Sequence, residues 1–499
     1  QRVRSHPGPF PMSGPGGIRL SVPRVPAKIT AGTRDAGRGT RDEGGRMTEL
    51  DARLVDAVAP GEAETVRALL AEGADPDAVG EDGLPVLCAA IAAYAVESVE
   101  MLVAAGADPD RPLPDGTTPL LRAVDAGSSA VWAAVRGPAP LRDGERPLAA
   151  ARRWYEVGAE AELRRLTGAH GPARSEIVRD GESGRIREIT LGGRTVRDGH
   201  GAILTFLEED LRILPPVGEL VTRAVRQADA YGAWDEDEEH VDRAAARGNL
   251  LSRQCAETWR AVVEFHRHPA PAHRAFAADF LNLATLMVDV FPHDVPHHRR
   301  YGERLAELLP GWAAVEPDPG VLAMLLRLLT DRCLPQARAL GLRYADHPDP
   351  RVRRRVPWML HPPGAPATAR VVRGLARDPD GEVRQRAAEV LDCDAAEDRE
   401  VLIALLRDEN PQVRERAAYA VRSGRDRSPA VTEALLELLD ADGQDERLSA
   451  AFALACRDHP RTPEAYEKVG PLRPEYERDP RADGLWRWRF RNDPAGRRG

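Results

Sequence analysis

The clearest pattern of hydrophobic and polar positions is a block that recurs through the C-terminal half of the chain. The blocks begin at His268, Glu316, His347, Asp378, Asp408 and Ala441. Each opens with turn-forming residues. Counting its first residue as zero, apolar residues then fall mostly at positions five, nine, twelve and thirteen, which share one face of a helix. The last five blocks start 31, 31, 30 and 33 residues apart, which predicts an α-solenoid.

A second period precedes these blocks. The sequence GADPD occurs at Gly73 and again at Gly106, and the pair Asp-Gly at Asp82 returns at Asp115, in both cases 33 residues later. Each Asp-Gly pair precedes an apolar stretch, DGLPVLCAAI or DGTTPLLRAV. A fixed spacing of this length predicts a second array of helical repeats.

The two periods resemble two known repeat families. The pieces DGLPVLCAAI and DGTTPLLRAV resemble the turn and first helix of ankyrin repeats, although Cys88 and Leu121 stand where that family usually has a histidine. The C-terminal blocks resemble HEAT repeats, whose second helix follows a D-x-P turn and carries V-R-x-x-A-A. Both resemblances imply helix pairs that stack side by side. Taken as a whole, the chain resembles bacterial proteins that combine the two repeat types.

Position six of the C-terminal blocks is a column of arginines, interrupted only by Leu322. The column consists of Arg274, Arg353, Arg384, Arg414 and Arg447. The HEAT resemblance implies that each arginine bonds an acidic or carbonyl partner in a neighbouring turn, with Asp349 and Asp380 as the expected partners. The alternative is a row of arginines that grips phosphates.

These patterns predict a mainly α fold with five segments. They are a disordered tail over 1–46, ankyrin repeats over 47–170, a small α/β connector over 171–232, a HEAT-type α-solenoid over 233–467 and a C-terminal tail or cap over 468–499. The first segment is rich in Gly, Pro and Arg and contains no long apolar run. We expect translation to begin at Met47.

Two shorter segments have patterns of their own. In the connector, alternating residues flank Asp180 to Gly184, which predicts a β-hairpin, and GGRTVRDG predicts a third short strand. The following stretch from His200 places apolar residues at helical spacing. In the tail, LWRWRFR alternates aromatic and basic residues from Leu485 to Arg491, which predicts a strand. Its aromatics either cover the last helix or form a stacking platform for a nucleic acid or an acidic partner.

Composition narrows the function classes. The formal net charge is −9 and the pI is near 5.9, which argues against a dedicated nucleic-acid binder. The five cysteines are scattered and never form a CxxC pair, which indicates reduced thiols and a cytoplasmic protein. The only lysines are Lys28 and Lys468, a usage typical of a high-GC bacterial genome. No apolar run has the length of a membrane span.

Candidate chemistry is sparse. The segment from His266 to His298 contains six histidines, but Pro292 and Pro296 interrupt it and no known metal-binding spacing is present. We therefore predict turn and cap histidines and no metal. Nucleophile elbows, phosphate-binding loops and dinucleotide loops are likewise absent from the sequence. The sequence thus offers no catalytic residues and no cofactor site.

The helical phase of the HEAT-like blocks predicts a partner-binding face. Position eleven points away from the apolar side of each second helix, and large aromatic side chains there are costly unless something covers them. Position seven adds a polar rim. The predicted partner-binding residues are Trp358, Glu389, Tyr419, Phe452, Arg354, Gln385 and Glu415. The alternative is that each aromatic side chain leans onto the adjacent repeat.

The sequence therefore favours a cytoplasmic scaffold that binds another protein on the concave surface of its solenoid, without chemistry of its own. The main alternative is a HEAT-like enzyme or nucleic-acid binder. Some alkylpurine DNA glycosylases and some bilin lyases have HEAT-like folds. A glycosylase requires a basic concave face with a carboxylate and aromatic residues at its centre.

Overall fold

A computed structural model of the chain describes residues 48–58, 61–138, 140–181, 184–228, 239–290, 296–362, 365–425, 428–476 and 478–492. For 239, 285–290, 296–299 and 475 only the backbone is described. The predicted disorder of residues 1–46 and the predicted start at Met47 lie outside these ranges. The chain forms two compact units, one up to Gln254 and one from Cys255 onward.

The first unit begins with paired helices. They are α1 (Glu49–Val58), α2 (Ala63–Glu72), α3 (Val86–Ala92), α4 (Val96–Ala105), α5 (Pro119–Ala126), α6 (Ser129–Arg136), α7 (Glu145–Val157) and α8 (Ala159–Thr167). The helices α3 and α5 begin at Val86 and Pro119, 33 residues apart, so the sequence period is one helix pair.

The repeated sequence motifs of this array form its turns. Gly73 and Gly106 end α2 and α4 with φ values of 101° and 107°, a left-handed conformation that glycine adopts without steric cost. Asp82 and Asp115 each accept a hydrogen bond at 2.9 Å from the backbone N–H two residues later. These hydrogen bonds stabilise each turn through its own aspartate, so the turn does not depend on the histidine that Cys88 replaces.

A small sheet follows the paired helices. Its strands are β1 (Arg174–Asp180), β2 (Gly184–Leu191), β3 (Arg194–Arg197) and β4 (Glu239–His240). β2 pairs antiparallel with β1 and β3, and the start of β2 pairs parallel with β4. The predicted hairpin and third strand are therefore confirmed. The remaining helices of the unit are α9 (His200–Asp210), α10 (Val217–Val225) and α11 (Val241–Ser252).

The sheet and α9 cover the end of the helix array. Ile203 and Leu207 of α9 belong to the same buried cluster as Leu54 of α1. Trp154 of α7 packs with Ile189 of β2 in a second cluster. The apolar residues that follow β3 thus close the array, as the terminal element of a stack must.

A buried ionic network joins the sheet to α11. Asp198, after β3, accepts a hydrogen bond from Arg187 at 3.0 Å and lies 3.4 Å from Nε2 of His240. Asp242 accepts a hydrogen bond from the backbone N–H of Ala202 at 2.6 Å. Burial raises the pKa of Asp242 to about 6. Burial lowers the pKa of His240, but the neighbouring carboxylates of Asp198 and Asp242 outweigh it, so this pKa lies above its usual value.

The second unit is helical throughout its described part. Its helices are α12 (Ala256–Glu264), α13 (Pro271–Val290), α14 (Pro296–Val315), α15 (Pro319–Asp331), α16 (Ala337–Tyr344), α17 (Pro350–Arg353), α18 (Val356–Met359), α19 (Pro366–Leu375), α20 (Gly381–Val390), α21 (Ala396–Leu405), α22 (Pro411–Val421), α23 (Pro429–Leu438), α24 (Gln444–Cys456), α25 (Thr462–Val469) and α26 (Pro480–Asn492). No helix among the described residues is long and apolar enough to cross a membrane.

The predicted blocks form the second helix of successive helix pairs. Asp318, Asp380 and Asn410 precede α15, α20 and α22 and accept hydrogen bonds from the first backbone N–H groups of those helices. In the block from His347, Pro357 cannot donate a backbone hydrogen bond, and the second helix is divided into α17 and α18. These second helices contact one another in order, from α13 and α15 to α22, α24 and α26.

The arginine column is structural, as the resemblance implied, but its partners differ from those predicted. Arg353 forms a bidentate pair with Asp378, and Arg384 does so with Asp408, at 2.7–2.8 Å. The predicted partners are engaged elsewhere: Asp349 binds Arg351, and Asp380 caps α20. The partner is therefore the first residue of the following block.

Each arginine of the column also donates hydrogen bonds to backbone carbonyl oxygens in the turn of its own block. Nη1 of Arg384 donates to the carbonyl oxygens of Asp378 and Pro379 at 2.9 and 3.1 Å. The other arginines of the column make the equivalent contacts. Each guanidinium is thus occupied by protein groups, which removes the basis for a phosphate-gripping row.

The predicted strand in the tail is wrong. Residues Pro480–Asn492 form α26, which packs against α24 as a further second helix of the stack. Asp479 accepts the backbone N–H of Arg481 at 2.7 Å, just as Asp349 accepts that of Arg351. A capped turn and a helical neighbour outweigh the local alternation of aromatic and basic residues.

Candidate partner-binding face

The structure places the predicted aromatic residues in one row along the second helices. Each member of the row lies nine positions after the residue that immediately precedes its second helix, or precedes α17 where that helix is divided. The members are Trp358, Glu389, Tyr419 and Phe452, and Trp488 lies at the same position of α26. We call these five residues the aromatic row. Trp488 was missed in the sequence because the tail was assigned to a strand. The repeated Asp-Pro-Arg at Asp349 and Asp479 was the available signal.

Two neighbouring pairs in the aromatic row are in direct contact. Nε1 of Trp358 donates to Oε2 of Glu389 at 2.8 Å. The rings of Tyr419 and Phe452 are stacked with centroids 6.3 Å apart. The Phe452 ring lies so close to Gly484 that a Cβ atom there would be 2.3 Å from the ring. Trp358 is 37% exposed, whereas Tyr419 and Phe452 are only partly exposed.

Glu389 lies between the aromatic residues of the row, and its carboxylate contacts three neighbouring side chains. Its oxygens lie 3.1 Å from Arg386 and 3.4 Å from Arg416, in addition to the contact with Trp358. Only 10% of the Glu389 side chain is exposed. The carboxylate therefore orients Trp358 and neutralises two arginines.

The predicted polar rim lies beside the aromatic row. Arg354 pairs with Glu382 at 2.6 Å, and Gln385 is partly buried on α20. Glu415 pairs with Arg481 of α26 at 2.7 Å. Burial raises the pKa of Glu415, against the opposing charge of Arg481. In the polar rim, Glu415 is thus already paired with another residue of the same chain.

Arg481 anchors α26 on this face. Its guanidinium bonds Asp479, Glu415 and Ser449 at 2.7 Å and Asp445 at 3.0 Å. Burial lowers the pKa of Arg481, but the three carboxylates raise it above its usual value. An arginine with this many charged partners fixes the position of α26 relative to α22 and α24.

A cleft of about 430 Å³ opens between α24 and α26 at the end of the aromatic row. From α24 it is lined by Phe452, Ala455 and Cys456, and from α26 by Gly484, Trp486, Arg487, Trp488, Phe490 and Arg491. Trp486 and Phe490 stack with centroids 5.6 Å apart and remain 56% and 54% exposed. They therefore do not cover the last helix, which was one of the two expectations for the tail.

The histidine segment shows side-chain packing. His268 and His273 are stacked with centroids 3.7 Å apart, and His266 lies edge-on to Trp312. His293 lies outside the described residues, and for His297 and His298 only the backbone is described. Among the described residues, no three His, Cys, Asp or Glu side chains are grouped so as to hold a metal ion.

Comparison with protein families identifies the repeats. Residues 306–392 and 374–455 match the family model described as HEAT repeats. This segment consists of HEAT repeats. It includes the HEAT repeats that carry Trp358, Glu389, Tyr419 and Phe452, whereas Trp488 lies beyond the matched residues. No curated protein sequence matches the chain.

Solved structures resemble the chain only loosely. The X-ray structure of YibA of E. coli is 17% identical, with a TM-score of 0.36, and the match covers 52% of this chain and 98% of YibA. The karyopherin Kap121p, bound to the extreme C-terminus of the protein phosphatase Cdc14p, is 13% identical, with a TM-score of 0.34 and coverage of 82% and 46%. Human deoxyhypusine hydroxylase in complex with glycerol is 15% identical, with a TM-score of 0.20 and coverage of 55% and 94%.

Proposed function

We propose that the protein is a non-catalytic scaffold that binds another protein through the aromatic row of its HEAT repeats. The observation that carries this proposal is the aromatic surface at both ends of the row: Trp358 is exposed at one end, and the cleft beside Phe452 and Trp488 lies at the other. Aromatic anchors beside polar and arginine side chains are typical of protein-binding hot spots.

The rest of the proposed architecture follows the sequence patterns. Residues 47–170 form an ankyrin-type array. We extend the α/β connector, predicted over 171–232, to Gln254, because β4 pairs with β2 and α11 packs against α9. The HEAT-type solenoid then runs from Cys255 to 467, in a cytoplasmic protein of bacterial type that needs no cofactor. The 33-residue helix pairs and their Asp-Gly turns support the ankyrin assignment.

The geometry of Glu389 favours binding over catalysis. A glycosylase-like site would need a carboxylate available to a substrate, whereas Glu389 is bonded by Trp358, flanked by Arg386 and Arg416, and largely buried. Release of a base from alkylated DNA by the purified protein would contradict the proposal.

The proposal is tested by capturing partners with the intact chain and a matched pair of variants. Trp358→Ala removes an exposed side chain of the aromatic row, and Leu342→Ala removes one that is 43% exposed on the first helix α16. A partner retained by the wild type and by Leu342→Ala, but lost with Trp358→Ala, supports the proposal. A partner retained by both variants and by a Phe452→Ala, Trp488→Ala double variant contradicts it.

A further inference from the structure

The cleft between α24 and α26 combines an apolar wall with a local excess of positive charge. Phe452 and Trp488 supply aromatic surface, and Arg487 and Arg491 lie on the α26 side. From Leu485 to Arg491 the chain contains three arginines and no acidic residue, whereas the whole chain carries a net charge of −9.

The arginines of α26 differ in how fully they are engaged. Arg481 is neutralised by partly buried carboxylates, and Arg489 lies over the ring of Tyr466 at 4.3 Å. Arg487 has Asp483 as a neighbour at 3.6 Å, with both side chains mostly exposed. An exposed pair of this kind is weak and is readily exchanged for a better-placed carboxylate. Arg487 therefore remains able to bind an anionic group of a ligand at the cleft.

We propose that this cleft binds an acidic peptide segment, which inserts one apolar side chain between Phe452 and Trp488 and places a carboxylate on Arg487, in the positive field of α26. This inference rests on the proposed function and names the partner class for one end of the aromatic row. The charge of the cleft selects an acidic ligand, and its aromatic wall selects an apolar anchor.

A single-stranded nucleic acid fits the same face less well. Binding of successive bases needs aromatic platforms along a continuous basic groove. Beyond the cleft, the aromatic row leads to Glu389, with Glu382 nearby on the same helix. Arg354, Arg386 and Arg416 beside the rest of the row are paired with Glu382 and Glu389, so the local excess of arginines lies at the α26 end, which suits one short acidic segment.

The test uses the intact chain and short random peptides displayed on phage. Peptides selected on the wild type are labelled, and their affinity is measured by fluorescence anisotropy. We expect acidic residues around an apolar residue, and a loss of affinity of at least about 10-fold in the Arg487→Glu, Arg491→Glu double variant. The control double variant, Arg370→Glu with Arg377→Glu, makes the same charge change at exposed sites on and after α19 and should bind like the wild type.

The other outcomes separate this inference from the proposed function. Peptides without acidic residues that are sensitive to Trp488→Ala, but not to charge reversal, overturn the acidic ligand and leave the scaffold intact. If no selected peptide responds to Trp358→Ala, Trp488→Ala or charge reversal, both proposals fail. Stronger binding of an oligo-dT single strand, abolished by the charge reversal, assigns the cleft to nucleic acid. Thermal melts of every variant show whether it is folded.

Discussion

The indole of Trp358 donates a hydrogen bond to Glu389, which stands at the equivalent position 31 residues later in the next repeat. The contact links two adjacent second helices through their outward side chains. It explains how an exposed tryptophan keeps a defined orientation without being buried. A partner would then meet an anchor that is already held in place, which reduces the entropy lost on binding.

Replacing Trp358 should therefore affect binding more than folding. We expect Trp358→Ala to weaken binding of a captured partner by about 1–3 kcal/mol. The melting temperature should fall less than in Phe452→Ala, because Trp358 is 37% exposed whereas the Phe452 ring packs against Gly484. Calorimetric titration and a thermal melt check the two parts. A large fall in melting temperature with unchanged affinity would contradict the prediction.

Phe452→Ala should behave differently, because its ring fills the space against Gly484. We expect both weaker binding and a loss of stability of about 1–3 kcal/mol from the cavity that remains. Tyr419→Ala should show a smaller version of the same double effect, since Tyr419 stacks on Phe452 and under Arg422. Denaturant titration of the three variants checks this order.

The arginine column should be a major source of stability in the second unit. Arg384→Ala leaves the Asp408 carboxylate and two turn carbonyls without their donor, and we expect a loss of about 2–4 kcal/mol in the free energy of unfolding. Arg370→Ala, at an exposed site on α19, is the control and should cost little. Equal melting temperatures for the two variants would show that the column is not structural.

Asp242 should make the first unit more stable as the solution becomes mildly acidic. Its pKa is raised to about 6 by burial, from an ordinary value of 3.8, so the folded chain takes up a proton that the unfolded chain does not. Stability is then lowest at high pH and rises as the pH falls through 6 toward 4.

The variant Asp242→Asn isolates this effect, because asparagine does not titrate. We expect the variant to be more stable than the wild type near pH 8, by on the order of 1–3 kcal/mol, and to lose this advantage as the pH falls toward about 4. Thermal melts of both proteins across this range check the sign. A stability difference independent of pH would show that Asp242 is not the titrating group.

Two glycines in helices should respond oppositely to alanine. Gly484→Ala places a Cβ atom 2.3 Å from the Phe452 ring and should destabilise the chain by about 1–3 kcal/mol while altering the cleft. Gly374 near the end of α19 has no atom within 4 Å of such a Cβ. Gly374→Ala should stabilise by about 0.5–1 kcal/mol. The comparison of melting temperatures tests whether α26 packs closely on α24.

The sequence predicted the features that depend on local chemistry. Val352, Val383 and Val413 are fully buried, as the helical phase of the blocks required. The hairpin at Asp180 follows equally from its turn residues. Local pattern failed where the decisive contact came from a distant part of the chain. The tail forms a helix despite its alternating pattern, because Arg481 pairs with Glu415, which lies 66 residues earlier in the chain.

The site was predicted in part for the same reason. Helical phase placed Trp358, Tyr419 and Phe452 on one face, but it could not show which of them the chain itself would cover. Asp349 and Asp380 were the expected partners of the arginine column, because spacing alone does not distinguish them from Asp378 and Asp408. Only the geometry of the stack brings the first residue of the next block to the guanidinium.

The arginine column also determines which repeats can be exchanged. Because Arg353 binds the first residue of the next block, loss of residues 378–407 would bring Asp408 to the place of Asp378 and leave the junction chemically unchanged. The junction with the block from Ala441 is different. Ala441 offers no carboxylate, and Arg414 binds Glu446 instead. Internal repeats can thus be gained or lost during evolution without a compensating substitution, whereas the block from Ala441 depends on Glu446 to pair with the arginine before it.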